Sequence, residues 1–167
     1  MQEECQALLA ARGFAQYEVS GYARAGRQCR HNLNYWRFGD YLGVGAGAHG
    51  KLSGDAIARS SHLREPRRYF ATAGDGPEWR QVPAADLPFE FMMNALRLTE
   101  GFSIAQFTAG TAQPATTVEP LLADLASQGL LEDAAGVWRP TPRGFQFLND
   151  VLQRFLPGAN SPVAARS

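Results

Sequence analysis

Two stretches hold residues whose types and spacing could do chemistry: Cys29 to Trp36, reading Cys-Arg-His-Asn-Leu-Asn-Tyr-Trp, and Tyr41 to His49, reading Tyr-Leu-Gly-Val-Gly-Ala-Gly-Ala-His. The first sets a histidine, an amide pair and two aromatic rings close together. Neutral imidazole can ligate a metal, and aromatic faces can stack on a flat ligand. The second is apolar and then rich in glycine, with Gly43, Gly45, Gly47 and Gly50 allowing backbone to approach a ligand closely. The pattern predicts a loop over the first stretch running into a strand over Tyr41 to Ala46. Each stretch keeps a plain alternative: His31 bonded to backbone with Tyr35 and Trp36 packed inward, and a glycine turn that permits tight packing at a strand end.

The elements that must position these residues are predicted from periodicity. Cys5, Leu8 and Leu9 form a helical stripe over residues 3 to 12, and Gly13 is placed to end that helix. Ala15 to Ser20 alternates, with Ala15, Tyr17 and Val19 on one face and Gln16, Glu18 and Ser20 on the other. A helix leading into such a strand, then a nearly continuous apolar strand at 41 to 46, predicts the last elements of a partial parallel β/α barrel over residues 1–52, with Glu18 pointing into a polar lumen. Gly54, Pro66, Gly74, Gly76, Pro77 and Pro83 predict an irregular linker or closing segment over 53–84, holding one short helix from Pro66 to Ala73.

A helical domain is predicted over 85–156. Asp86 and Pro88 start a helix with Phe89, Met92, Met93 and Leu96 inward and Glu90, Asn94 and Arg97 opposite, ending at Gly101. Glu90 and Arg97 read as a structural pair. Thr116 and Glu119 have capping-box spacing before the stripe Leu121, Leu122 and Leu125, which ends at Gly129. Leu130 to Glu132 and Val137 to Arg139 predict a hairpin around Ala135-Gly136, and Thr141-Pro142 starts a last helix facing inward with Phe145, Leu148, Val151, Leu152 and Phe155. This order is winged-helix-like, and residues 157–167 read as a flexible tail. The fold class is therefore α/β plus α.

Composition narrows the function. Sixteen basic and sixteen acidic residues give no net field toward nucleic acid or an anionic membrane. The segment from Val118 to Gln128, where a recognition helix would lie, carries Glu119 and Asp124 and no Lys or Arg, which argues against a DNA-binding module. No apolar run is long enough to span a bilayer, and Met1-Gln2-Glu3-Glu4 lacks the basic start of a signal peptide, so a cytoplasmic location is expected. Cys5 and Cys29 stand alone and 24 positions apart, too few thiols for a zinc site or an iron–sulfur cluster.

Tyr17-Glu18-Val19-Ser20, the run from Cys29 to Trp36 and the run from Tyr41 to His49 resemble the C-terminal half of the oxygen-independent coproporphyrinogen III oxidase-like branch of the radical S-adenosylmethionine (radical SAM) proteins. Glu90 to Leu98 with Gly101, Gly129-Leu130-Leu131 and Thr141 to Gly144 add to the resemblance, which covers roughly residues 1 to 155. The pattern His-Asn-x-x-Tyr-Trp at His31 to Trp36 resembles the heme-chaperone relatives more than the decarboxylating oxidase. For the complete protein the resemblance implies a [4Fe–4S] cluster, S-adenosylmethionine, heme or porphyrin, and a heme-acceptor protein as partner. For this chain it implies His31 as a heme-iron ligand with Cys29 as the alternative thiolate, Tyr35 and Trp36 flanking the porphyrin, and Glu18, Ala48 and His49 lining the S-adenosylmethionine pocket. The family's Cys-x-x-x-Cys-x-x-Cys motif has no counterpart here, so the chain is expected to be a piece of a longer protein and inactive alone. Gly21 stands where relatives often carry Asn. A non-catalytic lid or interaction role for the helical part, and a true oxidase, are the alternatives.

Overall fold

Short elements punctuated by glycine and proline build a mixed α/β fold, seen in a computed structural model that describes residues 2–72 and 74–158. It divides into two compact units, residues 1–38 with 88–167 and residues 39–87.

In the first unit, helix α1 (Gln2–Ala11) ends at Gly13, whose φ of +77° suits the left-handed turn. Its expected stripe is not an inner face, since Cys5 and Leu8 are exposed; Gln6 instead donates a 3.0 Å hydrogen bond to the Tyr22 hydroxyl. Strand β1 (Ala15–Gln16) pairs antiparallel with β2 (Tyr22–Ala23), and helix α2 spans Arg30–Trp36. The single strand expected over 15–20 is thus a tight hairpin. Every strand pair among the described residues is antiparallel, so the parallel pairing read from these strands does not form here.

The rest of this unit is built on helix α4 (Leu87–Ala95), whose buried side chains include Phe91, Met92 and Ala95. Phe91 replaces Phe89 as the inward aromatic, and Asn94, expected outside, is 8% exposed and donates to the Glu90 carbonyl at 2.7 Å. Strand β6 (Phe102–Ser103) leads into helix α5 (Ile104–Thr111), which the apolar periodicity does not predict. Its start is a capping box: Ser103 and Gln106 exchange side-chain to backbone hydrogen bonds. The box expected at Thr116 and Glu119 is absent, because Ala115–Thr117 makes a 3₁₀ turn and Val118 caps helix α6 (Glu119–Ser127). Strands β7 (Leu131–Ala134) and β8 (Val137–Pro140) form the expected hairpin, with β6 on the far side of β8. The expected last helix is two, α7 (Pro142–Gln146) and α8 (Leu148–Gln153), broken at Phe147; Leu148, Val151, Leu152 and Phe155 are buried. Most of the tail, residues 159–167, lies outside the described residues.

The second unit carries strands β3 (His49–Leu52), β4 (Ala58–Ser61) and β5 (Glu78–Gln81) in one antiparallel sheet, with helix α3 (Pro66–Ala71) between β4 and β5. The stretch expected to be irregular therefore holds most of this sheet. The expected strand at Tyr41 to Ala46 reduces to one bridge, Tyr41 to Lys51. Leu42 is 69% and Val44 87% exposed, and Gly45 and Gly47 take positive φ, which breaks a ladder. Lys51 is 1% exposed, and its ammonium donates to Asp40 Oδ1 at 3.0 Å and Ser53 Oγ at 2.8 Å.

Candidate functional site

The His31 to Trp36 motif is a helix rather than a loop. Seven residues make a helix too short to persist alone, so tertiary anchors must hold α2. Four do. Asn32 donates to the Tyr17 hydroxyl at 3.2 Å, Arg37 bonds both carboxylate oxygens of Glu100 at 2.8 and 3.2 Å, and the Arg97 guanidinium lies 4.5 Å from the Trp36 ring centroid. Phe38, directly after the helix, adopts φ +61°, a conformation costing a side chain about 1–2 kcal/mol. Burial of its ring against Phe91, centroids 5.4 Å apart, offsets that cost.

With the helix so held, His31 and Tyr35 stand one turn apart on one face, and their rings meet edge to face at 4.5 Å. His31 is exposed. Tyr35 continues to Trp36 at 6.3 Å between centroids. Cys29 occupies the position before the helix, exposed and without a side-chain cap bond. A cavity of about 480 Å³, lined by Ala15, Gln16, Tyr17, Gln28, Leu33 and Arg37 among others, lies along the opposite face of α2, since Leu33 and Arg37 project about 160° from His31 and Tyr35.

Glu18 shares this unit. Its backbone bridges Leu98, the residue is 4% exposed, and its Oε2 has no hydrogen-bond partner among the described residues. Gly21 makes room for it: a Cβ there would stand 2.5 Å from Glu18 Oε1 and 2.8 Å from Cγ. The carboxylate is thus packed against its own hairpin turn. Among the described residues two more polar atoms are buried without partners, Trp36 Nε1 and Arg97 Nε. Arg97, read as a partner for Glu90, packs on Trp36 instead; the missed signal was a cation one turn before Gly101.

Ala48 and His49 belong to the other unit. Ala48 N–H donates to the Gly45 carbonyl at 3.1 Å and its carbonyl accepts from His62 N–H at 2.9 Å, while His49 opens β3 and is exposed. Two glycines here serve packing: a Cβ on Gly43 would collide with the His49 carbonyl, and one on Gly50 with Ser60 Oγ. His62 lines a separate cavity of about 250 Å³ with Ser61, Tyr69, Thr72, Asp75 and Glu78. Cys5 and Cys29 do not fit a [4Fe–4S] cluster, which several thiolates hold, and among the described residues no group of three or more His, Cys, Asp or Glu could hold a metal ion. Nor is any described helix long and apolar enough to cross a membrane.

Residues 82–147 match the family model of the HemN C-terminal domain. The chain is 44% identical over 161 residues to heme chaperone HemW of Escherichia coli (strain K12), covering 92% of this chain and 41% of that protein. It is 42% identical to heme chaperone HemW of Haemophilus influenzae over 92% of this chain and 40% of the relative, and 32% identical to that of Bacillus subtilis (strain 168) over 93% and 42%. The chain thus spans about two fifths of the length of the curated relatives it matches. The solved structure of coproporphyrinogen III oxidase (HemN) from Escherichia coli, a radical SAM enzyme, superposes on 92% of this chain and 39% of its own with a TM-score of 0.62 at 16% identity, a likeness of fold. The family-model match over residues 82–147 and these identities relate the chain to HemN over part of that protein's length. It is homologous to the heme chaperones HemW, aligned with part of their length.

Proposed function

We propose that this chain is the heme-binding C-terminal part of a cytoplasmic radical SAM heme chaperone, with His31 as an axial ligand of heme iron and Tyr35 and Trp36 beside the porphyrin. The complete protein passes heme to an acceptor protein. The observation that carries this reading is the exposed His31 imidazole in edge contact with Tyr35 on an anchored helix, which leaves a nitrogen donor open to a metal and an aromatic ring beside it. Identity of 44% to a heme chaperone, against 16% to the oxidase, favours the chaperone over the oxidase. In the complete protein a [4Fe–4S] cluster would be held by residues outside this chain and would supply radical chemistry with S-adenosylmethionine, for which Ala48 and His49 are proposed contacts; the chain alone is inactive.

The same reading takes residues 1–52 as the last elements of a partial barrel, 53–84 as its closing segment and 85–156 as a winged-helix-like domain. The order α4, β6, α5, α6, β7 and β8 supports the last of these. α6 carries Glu119 and Asp124 and no basic residue, which favours a lid or protein contact over nucleic acid.

Titration of the chain with ferric heme, followed by the Soret band, tests the ligand. His31→Ala should weaken binding about tenfold or more and Cys29→Ala should change it little. Loss of the shift in Cys29→Ala with none in His31→Ala would overturn the assignment.

A further inference from the structure

We propose that Arg97 and Trp36 form a receptor for a carboxylate of the bound porphyrin, at the far end of the aromatic row that begins at His31. The inference rests on porphyrin binding along α2. The row runs from His31 to Tyr35 at 4.5 Å, to Trp36 at 6.3 Å, and ends where the Arg97 guanidinium covers the indole at 4.5 Å.

Both side chains at that end are donors only, and both carry a buried N–H without an acceptor among the described residues: Nε of Arg97 and Nε1 of Trp36. A buried donor left unpaired has lost its water without a replacement, which destabilises the fold until an acceptor arrives. What completes the pair must therefore be an acceptor, and the guanidinium charge selects an anion. A carboxylate is planar and matches the guanidinium fork with two parallel bonds. Arg97 is held ready for it by its backbone, whose N–H donates to the Asn94 carbonyl at 3.1 Å and whose carbonyl accepts from Val19 N–H at 3.0 Å. Glu18, whose backbone bridges Leu98 next to Arg97, does not fill the role: its Oε2 meets no donor among the described residues, so it does not accept from Arg97 Nε. A porphyrin bearing propionate groups brings the missing acceptor on the same molecule that would meet His31.

The test compares metal-free protoporphyrin IX with its dimethyl ester, following porphyrin and tryptophan fluorescence on the whole chain. Without iron, His31 coordination plays no part. The parent chain should bind the diacid about tenfold more tightly than the ester. Arg97→Gln should bring the diacid down to the ester's affinity and leave the ester unchanged; Arg97→Lys, which keeps the charge and loses the fork, should fall between. Trp36→Phe should lower the diacid preference several-fold, and His31→Ala should preserve it. An Arg97→Gln chain that keeps the tenfold preference, or that loses diacid and ester binding equally, overturns the receptor. Failure of the parent to bind either porphyrin overturns it together with the function proposed above. A ferric-heme Soret shift that depends on His31, with no diacid preference in the metal-free porphyrin, overturns the receptor alone.

Discussion

Replacing Glu18 by Met should make this chain more stable. Glu18 is 4% exposed, and its Oε2 meets no donor among the described residues. A buried acceptor without a partner costs about 1–3 kcal/mol, more when charged, and an apolar side chain of similar length removes that cost while keeping the volume filled. Glu18 lies tight against Gly21, with Tyr17 beside it, which leaves no room for a larger group, so an unbranched thioether is the fitting replacement. A gain of about 1–3 kcal/mol is expected. With a urea dependence of about 1–3 kcal/mol per molar for a small protein, the unfolding midpoint should rise by about 1 M. Glu18→Ala is the control, since it removes the carboxylate but leaves a cavity, and it should gain less or lose stability. A midpoint for Glu18→Met that falls by an amount equivalent to about 1 kcal/mol or more would refute the reasoning, because it would show that the carboxylate has a partner in solution. A rise would mean that the fold holds a carboxylate at a cost, which is how a group kept for a ligand behaves.

In the second unit, burial pushes the Asp40 carboxyl up, but bonds from the Ser53 N–H, the Lys51 ammonium and the Ser53 hydroxyl outweigh it and hold it below the usual carboxylate range. Its stabilisation is therefore complete above its unfolded value of about 3.9 and is lost as pH falls through the lower folded value. Asp40→Asn should cost about 1–2 kcal/mol at neutral pH, less than a fully buried pair because Asp40 is partly exposed, and should flatten the acid limb of stability against pH; an unchanged limb in urea titrations would count against it. Gly101→Ala should lower the thermal midpoint through a loss of about 2 kcal/mol, because φ is +71° and the new Cβ would collide with the Trp138 carbonyl at the β6 to β8 pairing; a midpoint unchanged in calorimetry would show that the turn relaxes freely.

Much of the helical domain was legible because its signals are local. The stripe Leu122 and Leu125, the Ala135-Gly136 turn and the start at Thr141-Pro142 each specify an element without reference to the rest of the chain. The hairpin turn takes positive φ at both residues, which Ala-Gly tolerates at its second position more readily than its first. α5 escaped because Thr108, Gly110 and Thr111 lower its intrinsic helicity, although Ser103-x-x-Gln106 announced its start. Strand direction escaped for another reason. Alternation in Ala15 to Ser20 says which side chains share a face, not whether the neighbour runs parallel; the partner, Tyr22–Ala23, lay just past the turn.

The site residues were legible by type, and their arrangement was legible only in part. His31 and Tyr35 are four apart, the spacing that places two rings on one helix face, yet Asn32 and Asn34 read as loop formers and hid it. The helix survives those amides because its anchors come from distant segments: Tyr17 for Asn32, Arg97 for Trp36, Glu100 for Arg37 and Phe91 for Phe38. Three of these four anchors lie on α4 or in the turn after it, within or beside the matched C-terminal domain. The helical domain thus has a physical task beyond covering a core. It fixes the direction in which His31 and Tyr35 face, so a substitution such as Phe91→Ala, remote from any ligand, would act on the site through the orientation of α2.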